Sequence, residues 1–558
     1  MEPPDRAGPR ARARNDSRAR SLDRGGGRAP QGARGPRGRG GPRSRRRPPR
    51  LGARPRRHRG RSGGAGHRPA RRQDPDGRRR LGPRPAREHG ARVSARREAA
   101  PARRVAYDVL LAVSGSDAYA NLVLPARISA AGLSPADAGL ATELCYGTLR
   151  MSGYYDRVIA LAAGRSVESI DAPVLDALRL GVHQLLATRV APHAAVNESV
   201  ALVAAGSSRG AVAFANAVLR AVSRSSAGEW RERVSAAAVS GDDRIAALSS
   251  HPVWIVRALR RALAAEGAAD ELDALLAADN AAPRVNLVAL PGLASPGEIA
   301  DAEPDRFSPV GMTSTGGDPE AFPAVHEGRV RVQDEGSQLA ALALSRARPV
   351  RPGERWLDLC AGPGGKAALL AAEARAGGAA LLANEVVPGR AGLVRQALAA
   401  VDPSVEVRTG DGRDLGDEQP GSFDRILLDA PCTGLGALRR RPEARWRKSA
   451  ADVEPLAALQ GELLDSAVRA LAPDGLLAYV TCSPHLGETR RVLALAQERH
   501  ELELVDTPAV LRAVTADPLP LPDGPLHVQL WPHRHGTDAM FVQLLRRRRP
   551  LEAASGDA

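Results

Sequence analysis

The chain reads as a multidomain protein: an all-α helical bundle, a small α/β linker domain, and an α/β domain of the Rossmann-like, doubly wound kind. An Arg-rich disordered tail precedes them. Three observations predict this. From 101 to 225, apolar residues recur at three- and four-residue steps, the period of an amphipathic helix. After Gln333, short apolar runs alternate with helix-compatible segments, the pattern of parallel strands with crossover helices. The first 100 residues hold 32 arginines against 8 acids and almost no aliphatic side chains. At 558 residues the chain also exceeds what one hydrophobic core supports.

Residues 1–100 lack the apolar groups to offset chain entropy, so disorder is expected. Their cations suit non-specific phosphate binding, as in an RNA-binding tail. A second reading is a mis-called start. Val93 opens Val-Ser-Ala-Arg-Arg-Glu just ahead of the first periodic segment, whereas the next methionine, Met151, falls inside a helical pattern. The formal charge of +17 therefore misleads, because the remaining residues carry 48 basic against 55 acidic groups.

Residues 101–225 predict about seven short helices, opened by Val105, Val109 and Leu110 and broken by Gly, Ser and Pro. The linker domain spans 226–332. It holds a smaller helical stretch to 280, with Trp254, Leu272, Leu275 and Leu276 as core, then Pro/Gly-rich sequence with short Val/Leu runs that predict a small sheet. From 333 to 548, strands are expected at 355–360, 379–386, 404–409, 423–429 and 475–482. Runs at 526–531 and 539–545, with no helix between them, suggest a closing hairpin. Residues 549–558 read as a second disordered tail.

Composition excludes several classes. The four cysteines, at 145, 360, 432 and 482, form no CxxC pair and no zinc-ligand spacing, so neither a disulfide framework nor a metal site is expected. No apolar run is long enough to span a membrane, and the N-terminus has no apolar signal core. A cytoplasmic protein is expected, and a monomer, since no dimer seam is visible.

The chemistry concentrates in the last domain. In Leu357-Asp-Leu-Cys-Ala-Gly-Pro-Gly-Gly-Lys366 an apolar strand enters a Gly-rich turn that opens a helix. Two phosphate-binding readings fail on spacing: a P-loop would need Gly at 360 and Ser or Thr at 367, and GxGxxG would need Gly at 367. Two readings remain: a strand-end loop that cradles something other than pyrophosphate, and a generic tight turn. Three acids come next at strand ends: Glu385, Asp411 and Asp429. A carboxylate ending the second strand is placed to accept hydrogen bonds from ribose hydroxyls. Singly, each could instead be a helix cap or a solvated loop acid.

Cys432, in Asp429-Ala-Pro-Cys-Thr-Gly-Leu-Gly436, and Cys482, in Tyr479-Val-Thr-Cys-Ser483, both succeed apolar strands and emerge at the same sheet edge as the Gly loop. A lone cysteine is usually a small core residue. A thiolate at a strand end beside positive charge can attack an electron-poor carbon. Arg439-Arg-Arg-Pro-Glu-Ala-Arg-Trp-Arg-Lys448 supplies cations, either as a solvated face or for phosphate contact through Arg439, Arg440, Arg441, Arg445 and Lys448.

Gln333-Asp-Glu-Gly-Ser-Gln338, the Cys-Ala-Gly-Pro-Gly-Gly-Lys loop, Asp-Ala-Pro-Cys-Thr-Gly and Thr-Cys-Ser resemble, in order, the motifs of bacterial RNA cytosine-5 methyltransferases of the Sun/Fmu type, nearest the ribosomal small subunit methyltransferase B subfamily. Pro192-His-Ala-Ala-Val-Asn-Glu198 and Phe214-Ala-Asn-Ala-Val-Leu-Arg220 resemble the NusB-like helical RNA-binding domain that this subfamily carries ahead of its catalytic domain. The resemblance implies that Cys360, Ala361, Gly362, Pro363, Gly364, Gly365 and Lys366 surround S-adenosylmethionine. Glu385 would hold its ribose, Asp411 would lie near the adenine, and Asp429 would sit beside the methionine and the target base. It also implies Cys482 as nucleophile on carbon 6 of cytosine, Cys432 as the group assisting proton loss and release, and 16S rRNA as substrate. Gly336, Gly362 and Ala367 depart from the commoner residues without removing a reactive group. Two alternatives stand beside this: the same chemistry on tRNA or 23S rRNA, and a non-catalytic RNA-binding or antitermination protein.

Overall fold

The computed structural model describes residues 98–116 and 118–548, so the expectations for the two tails lie outside the described residues. Among the described residues, seven α-helices come first: α1 Pro101–Ser116, α2 Ala120–Ala130, α3 Pro135–Arg150, α4 Ser152–Ala163, α5 Ala172–Ala187, α6 Pro192–Gly206 and α7 Arg209–Val222. Their boundaries reflect local chemistry. Ser134 and Ser208 cap α3 and α7 by accepting backbone N–H groups, and Gly164 ends α4 in the left-handed region.

The next helical segment contains α8 Ala227–Ala236, α9 Gly241–Ser249, α10 Val253–Ala264 and α11 Leu272–Asp279. It does not share one core. Trp230 and Val234 of α8 pack into the first bundle. The apolar stripe of α10 (Ile255, Val256, Leu259, Leu263) joins Leu272, Leu275 and Leu276 of α11 against Leu435, Leu438, Trp531 and Ala539 of the C-terminal part. The expected break near 225 is therefore crossed by packing, because each short amphipathic helix buries its stripe on the nearest large element.

Strands β1 Asn286–Ala289, β2 Ala302–Pro304, β3 Gly311–Ser314 and β4 Val330–Val332 form an antiparallel sheet of order β2-β3-β1-β4, with α12 Pro323–His326 before its last strand. The motif from Gln333 to Gln338 leads out of β4 and pins α13 Glu335–Ser345 to this small sheet. Asp334 caps α13, Glu335 accepts the N–H groups of Phe307 and Ser308, and Gln338 donates to Leu287 O.

The last part alternates as expected: β5 Arg355–Asp358, α14 Gly365–Ala376, β6 Ala380–Asn384, α15 Pro388–Leu398, β7 Glu406–Arg408, α16 Leu415–Glu418 and β8 Phe423–Asp429. It continues with α17 Ala444–Arg447, α18 Val453–Ala470, β9 Leu471–Thr481, α19 Arg490–Arg499, β10 Leu502–Leu504, α20 Thr507–Val514, β11 Val528–Gln529, α21 Pro532–His535 and β12 Phe541–Arg547. Strand order is β10-β12-β9-β8-β5-β6-β7, with β5 to β9 parallel, β12 antiparallel to β9, and β11 paired with β12. One detail differs from expectation. The β11–β12 hairpin contains the single turn α21, which Pro532 initiates. Chain order reverses between β5 and β8, and in open α/β sheets ligands bind at such a switch point, beyond the carboxyl ends of the strands.

Candidate active site

The carboxyl ends of β5, β6, β8 and β9 carry Asp358, Asn384, Asp429 and Thr481. Residues 360–366 turn between β5 and α14. Gly364 there has φ +107°, and a Cβ on it would lie 2.5 Å from Ala397 Cβ, so only glycine lets this turn rest on α15. At Gly362 a Cβ would collide with the Glu385 carboxylate, which instead accepts the Gly362 and Val387 N–H groups. Glu385 is thereby fixed against the loop, and Asn384 ties the loop to β6 by donating to Leu359 O.

Lys366, at the start of α14, reaches across to β8, where its Nζ lies 2.8 Å from Asp429 Oδ2. Burial opposes the charge on Lys366, but the Asp429 carboxylate outweighs it and raises the pKa. Beside this pair lies Asp358, which sequence reasoning missed as a site residue. It is buried, no side chain hydrogen-bonds it, and burial followed by the charge of Asp429 lifts its pKa to about 8. An acid closing an apolar strand just before the Gly turn was the available signal. Asp411 lies at the rim, paired bidentately with Arg413, which holds its carboxyl below the usual range.

The two cysteines meet: Cys432 Sγ and Cys482 Sγ are 3.4 Å apart. Cys482 comes directly after β9. Cys432 lies on the loop after β8, and that loop is clamped against β9 because Gly436 donates to Cys482 O and accepts from Ala539 N. The pair is electrostatically unequal. The hydrogen bond with Cys432 lowers the pKa of Cys482 against burial and Asp429, with Lys366 and Arg441 assisting. That same bond, burial, and the charges of Cys482 and Glu488 raise Cys432. Of the two sulfurs, ionisation is therefore easier at Cys482 than at Cys432. Cys360 is pushed up by burial and then by Asp358, Asp429 and Glu385, which suits a spacer rather than a nucleophile.

The arginine-rich loop divides. Arg445 is fully buried and donates to Arg150 O, Ser250 O, Asp279 O and Asn280 Oδ1, joining the loop to the helical segments. Arg440 bonds Asp334, Asp538 and Asn286, and Arg439 donates to Gly536 O. These three guanidinium groups are engaged inside the protein rather than presented for phosphate, because the loop is wedged between the helical segments and the catalytic sheet. Arg441 is exposed, with its guanidinium near the Tyr119 ring, and Lys448 is half-buried.

The residues at the strand ends fit S-adenosylmethionine: a buried carboxyl without a side-chain partner, a fixed carboxylate directly after β6, and a glycine cradle. Among the described residues no His/Cys/Asp/Glu group could hold a metal ion, and no helix is long and apolar enough to cross a membrane.

Comparison with known proteins identifies the family. Residues 347–546 match the family model described as 16S rRNA methyltransferase RsmB/F, and residues 100–224 match that of the NusB family. A Mycobacterium tuberculosis chain, MT1451, provisionally named as a methyltransferase, is 48% identical over 456 residues, covering 81% of this chain and 98% of its own. The ribosomal RNA small subunit methyltransferase B of Pseudomonas putida is 35% identical over 419 residues, covering 72% and 91%. The crystal structure of PH0851 shares the fold, with a TM-score of 0.67 at 20% identity over 80% of this chain and 99% of that one. With its NusB-type bundle ahead of an S-adenosylmethionine-dependent methyltransferase domain, the chain belongs to the RsmB/F family of methyltransferases.

Proposed function

We propose that this enzyme methylates carbon 5 of a cytosine in 16S rRNA through a covalent adduct with Cys482. The observation that carries the reading is the contact between Cys432 and Cys482 at the end of β9, beside the Lys366–Asp429 pair. Carbon 5 of cytosine is a poor nucleophile while the ring is aromatic, so a second nucleophile must first break that aromaticity. The Cys482 thiolate would add to carbon 6, forming the S–C6 bond and moving the C5=C6 π electrons to carbon 5. Residues 360–366, Asp358, Glu385, Asp411 and Asp429 would hold S-adenosylmethionine, which when bound supplies an electrophilic methyl group. Cys432, once its own thiol proton has passed to solvent water, would as thiolate take the proton from methylated carbon 5. The C–H electrons would then restore C5=C6 and expel the Cys482 thiolate. Asp429, held by Lys366, would face the N3 edge of the ring, where a proton shared between its carboxyl group and N3 would stabilise the adduct. A base within a helix must be unstacked before it can be reached. Exposed Arg441 and half-buried Lys448 suit phosphate contact beside the site.

The test uses labelled S-adenosylmethionine and protein-free 16S rRNA, with the product base identified and mapped. One 5-methylcytosine is expected. Cys482→Ala should abolish transfer while cofactor binding survives, and Cys432→Ala should accumulate a protein–RNA adduct stable on denaturing gels. Full activity in Cys482→Ala would refute the nucleophile, and transfer only to tRNA or 23S rRNA would move the substrate.

A further inference from the structure

Behind the two cysteines lies a buried polar cluster that the methyl-transfer chemistry does not use. Glu488, in the turn after Cys482, is fully buried. Its Oε1 accepts the Thr433 N–H at 2.7 Å and the Gln460 amide at 3.3 Å. Its Oε2 accepts the Thr433 hydroxyl at 2.5 Å and the Ser483 hydroxyl at 2.7 Å. Thr433 is the residue directly after Cys432, and Ser483 the residue directly after Cys482. Gln460 donates in turn to Pro431 O, just before Cys432, while the Tyr479 hydroxyl donates to Glu488 O.

We propose that Glu488 is the positioning residue of the thiol pair: one buried carboxylate grips the residue after each cysteine and sets the spacing of the two sulfurs. The direction of its bonds argues for this. An acid that served only its own turn would bond within that turn, yet both Thr433 bonds and the Gln460 bond cross to other segments. A buried carboxylate persists only when its lone pairs are satisfied, and here four donors converge on it. Glutamine has the same shape but one acceptor oxygen, and its amide nitrogen would face N–H and O–H donors. Glu488 hydrogen-bonds neither sulfur, so it acts through Thr433 and Ser483.

This inference rests on the two-cysteine reading, and the experiment separates the two. Glu488→Gln in the full chain is assayed for kcat and KM on 16S rRNA and for melting temperature. It is also assayed for the rate at which diamide, a two-electron thiol oxidant, joins Cys432 to Cys482. We expect kcat to fall about 10- to 100-fold, as for reacting groups displaced by a fraction of an ångström to an ångström. KM should stay within about twofold, because the contacts that bind RNA are untouched. Disulfide formation should slow. Wild-type kcat together with wild-type oxidation rate would overturn the proposal, as would a loss confined to KM. Should Glu488→Gln fail to fold, Ser483→Ala and Thr433→Val decide: lowered kcat at unchanged KM supports positioning, and wild-type kcat in both overturns it. The oxidation readout needs neither RNA nor methyl transfer, so it stands even if Cys482→Ala were to show that the covalent route is wrong.

Discussion

Lys366 Nζ sits 2.8 Å from Asp429 Oδ2, joining the first residues of α14 to the last residue of β8. The pair spans the switch point of the sheet and places one partly buried cation beside Asp429, where its charge also favours ionisation of Cys482.

Replacing that cation should therefore raise the pKa of Cys482. In Lys366→Met, alkylation of Cys482 by iodoacetamide near neutral pH should slow about tenfold for each unit of that rise. The acidic limb of the pH–rate profile should move to higher pH. Mass-spectrometric alkylation rates across pH check this, and an unchanged profile would show that the Cys432 hydrogen bond alone sets the thiolate.

Gly436 threads between two backbones. A Cβ there would collide with Ala539 O and lie 2.9 Å from Cys482 O, and neither is the flexible end of a side chain. Gly436→Ala should cost about 1–3 kcal/mol of stability and lower methyl transfer by shifting the Cys432 loop. Gly461, inside α18 with no heavy atom nearer than 3.7 Å, is the control. Gly461→Ala should stabilise by about 0.5–1 kcal/mol. Thermal melting and transfer rates of both variants decide the matter.

Asp358 supplies a pH signature. Its folded pKa of about 8 lies above the ordinary carboxylate value of 3.8, so the native state holds the proton more tightly than the unfolded chain does. Stability from this group is present below the unfolded value and falls as pH rises through the window to about 8. Asp358→Asn should flatten the decline in melting temperature between about pH 5 and pH 9. An identical slope in the variant would assign the decline to other groups, Asp538 and Glu335 first, since burial raises both to about 7.

The arginine loop separates structure from RNA contact. Arg445→Ala leaves three buried carbonyl oxygens and the part-buried Asn280 Oδ1 without their donor and should destabilise by several kcal/mol, at about 1–3 kcal/mol for each buried acceptor left unpaired. Arg441→Ala should leave melting nearly unchanged, weaken RNA binding at low salt, and reduce the salt slope by about one. Denaturation curves and salt-dependent binding measure both. An Arg441 variant with wild-type RNA affinity would remove it from the interface.

Much of this was legible in the residues, for reasons that differ by element. The helices from 101 to 222 announce themselves by apolar spacing and Ser or Pro at their starts, and the strands from β5 to β9 by apolar runs before Gly and Asp. The helices between 227 and 279 were legible as helices but not as neighbours. A short amphipathic stripe states that it will be buried, not against what, and α8 and α10 found different cores. The fate of Arg439, Arg440 and Arg445 was illegible for a related reason, since a run of cations looks the same whether its partners are phosphates or carbonyl groups a hundred residues away.

The linear chain by itself determined the class of the fold, the Gly loop, the acids at strand ends and the presence of two cysteines, because these depend on local periodicity and residue chemistry. Only the tertiary structure decided that Cys432 and Cys482, fifty residues apart, touch, that Lys366 faces Asp429, and that Glu488 bonds the neighbours of both thiols. Parallel strand order is set by the summed burial of whole helices against the sheet, and no short window of sequence carries that sum.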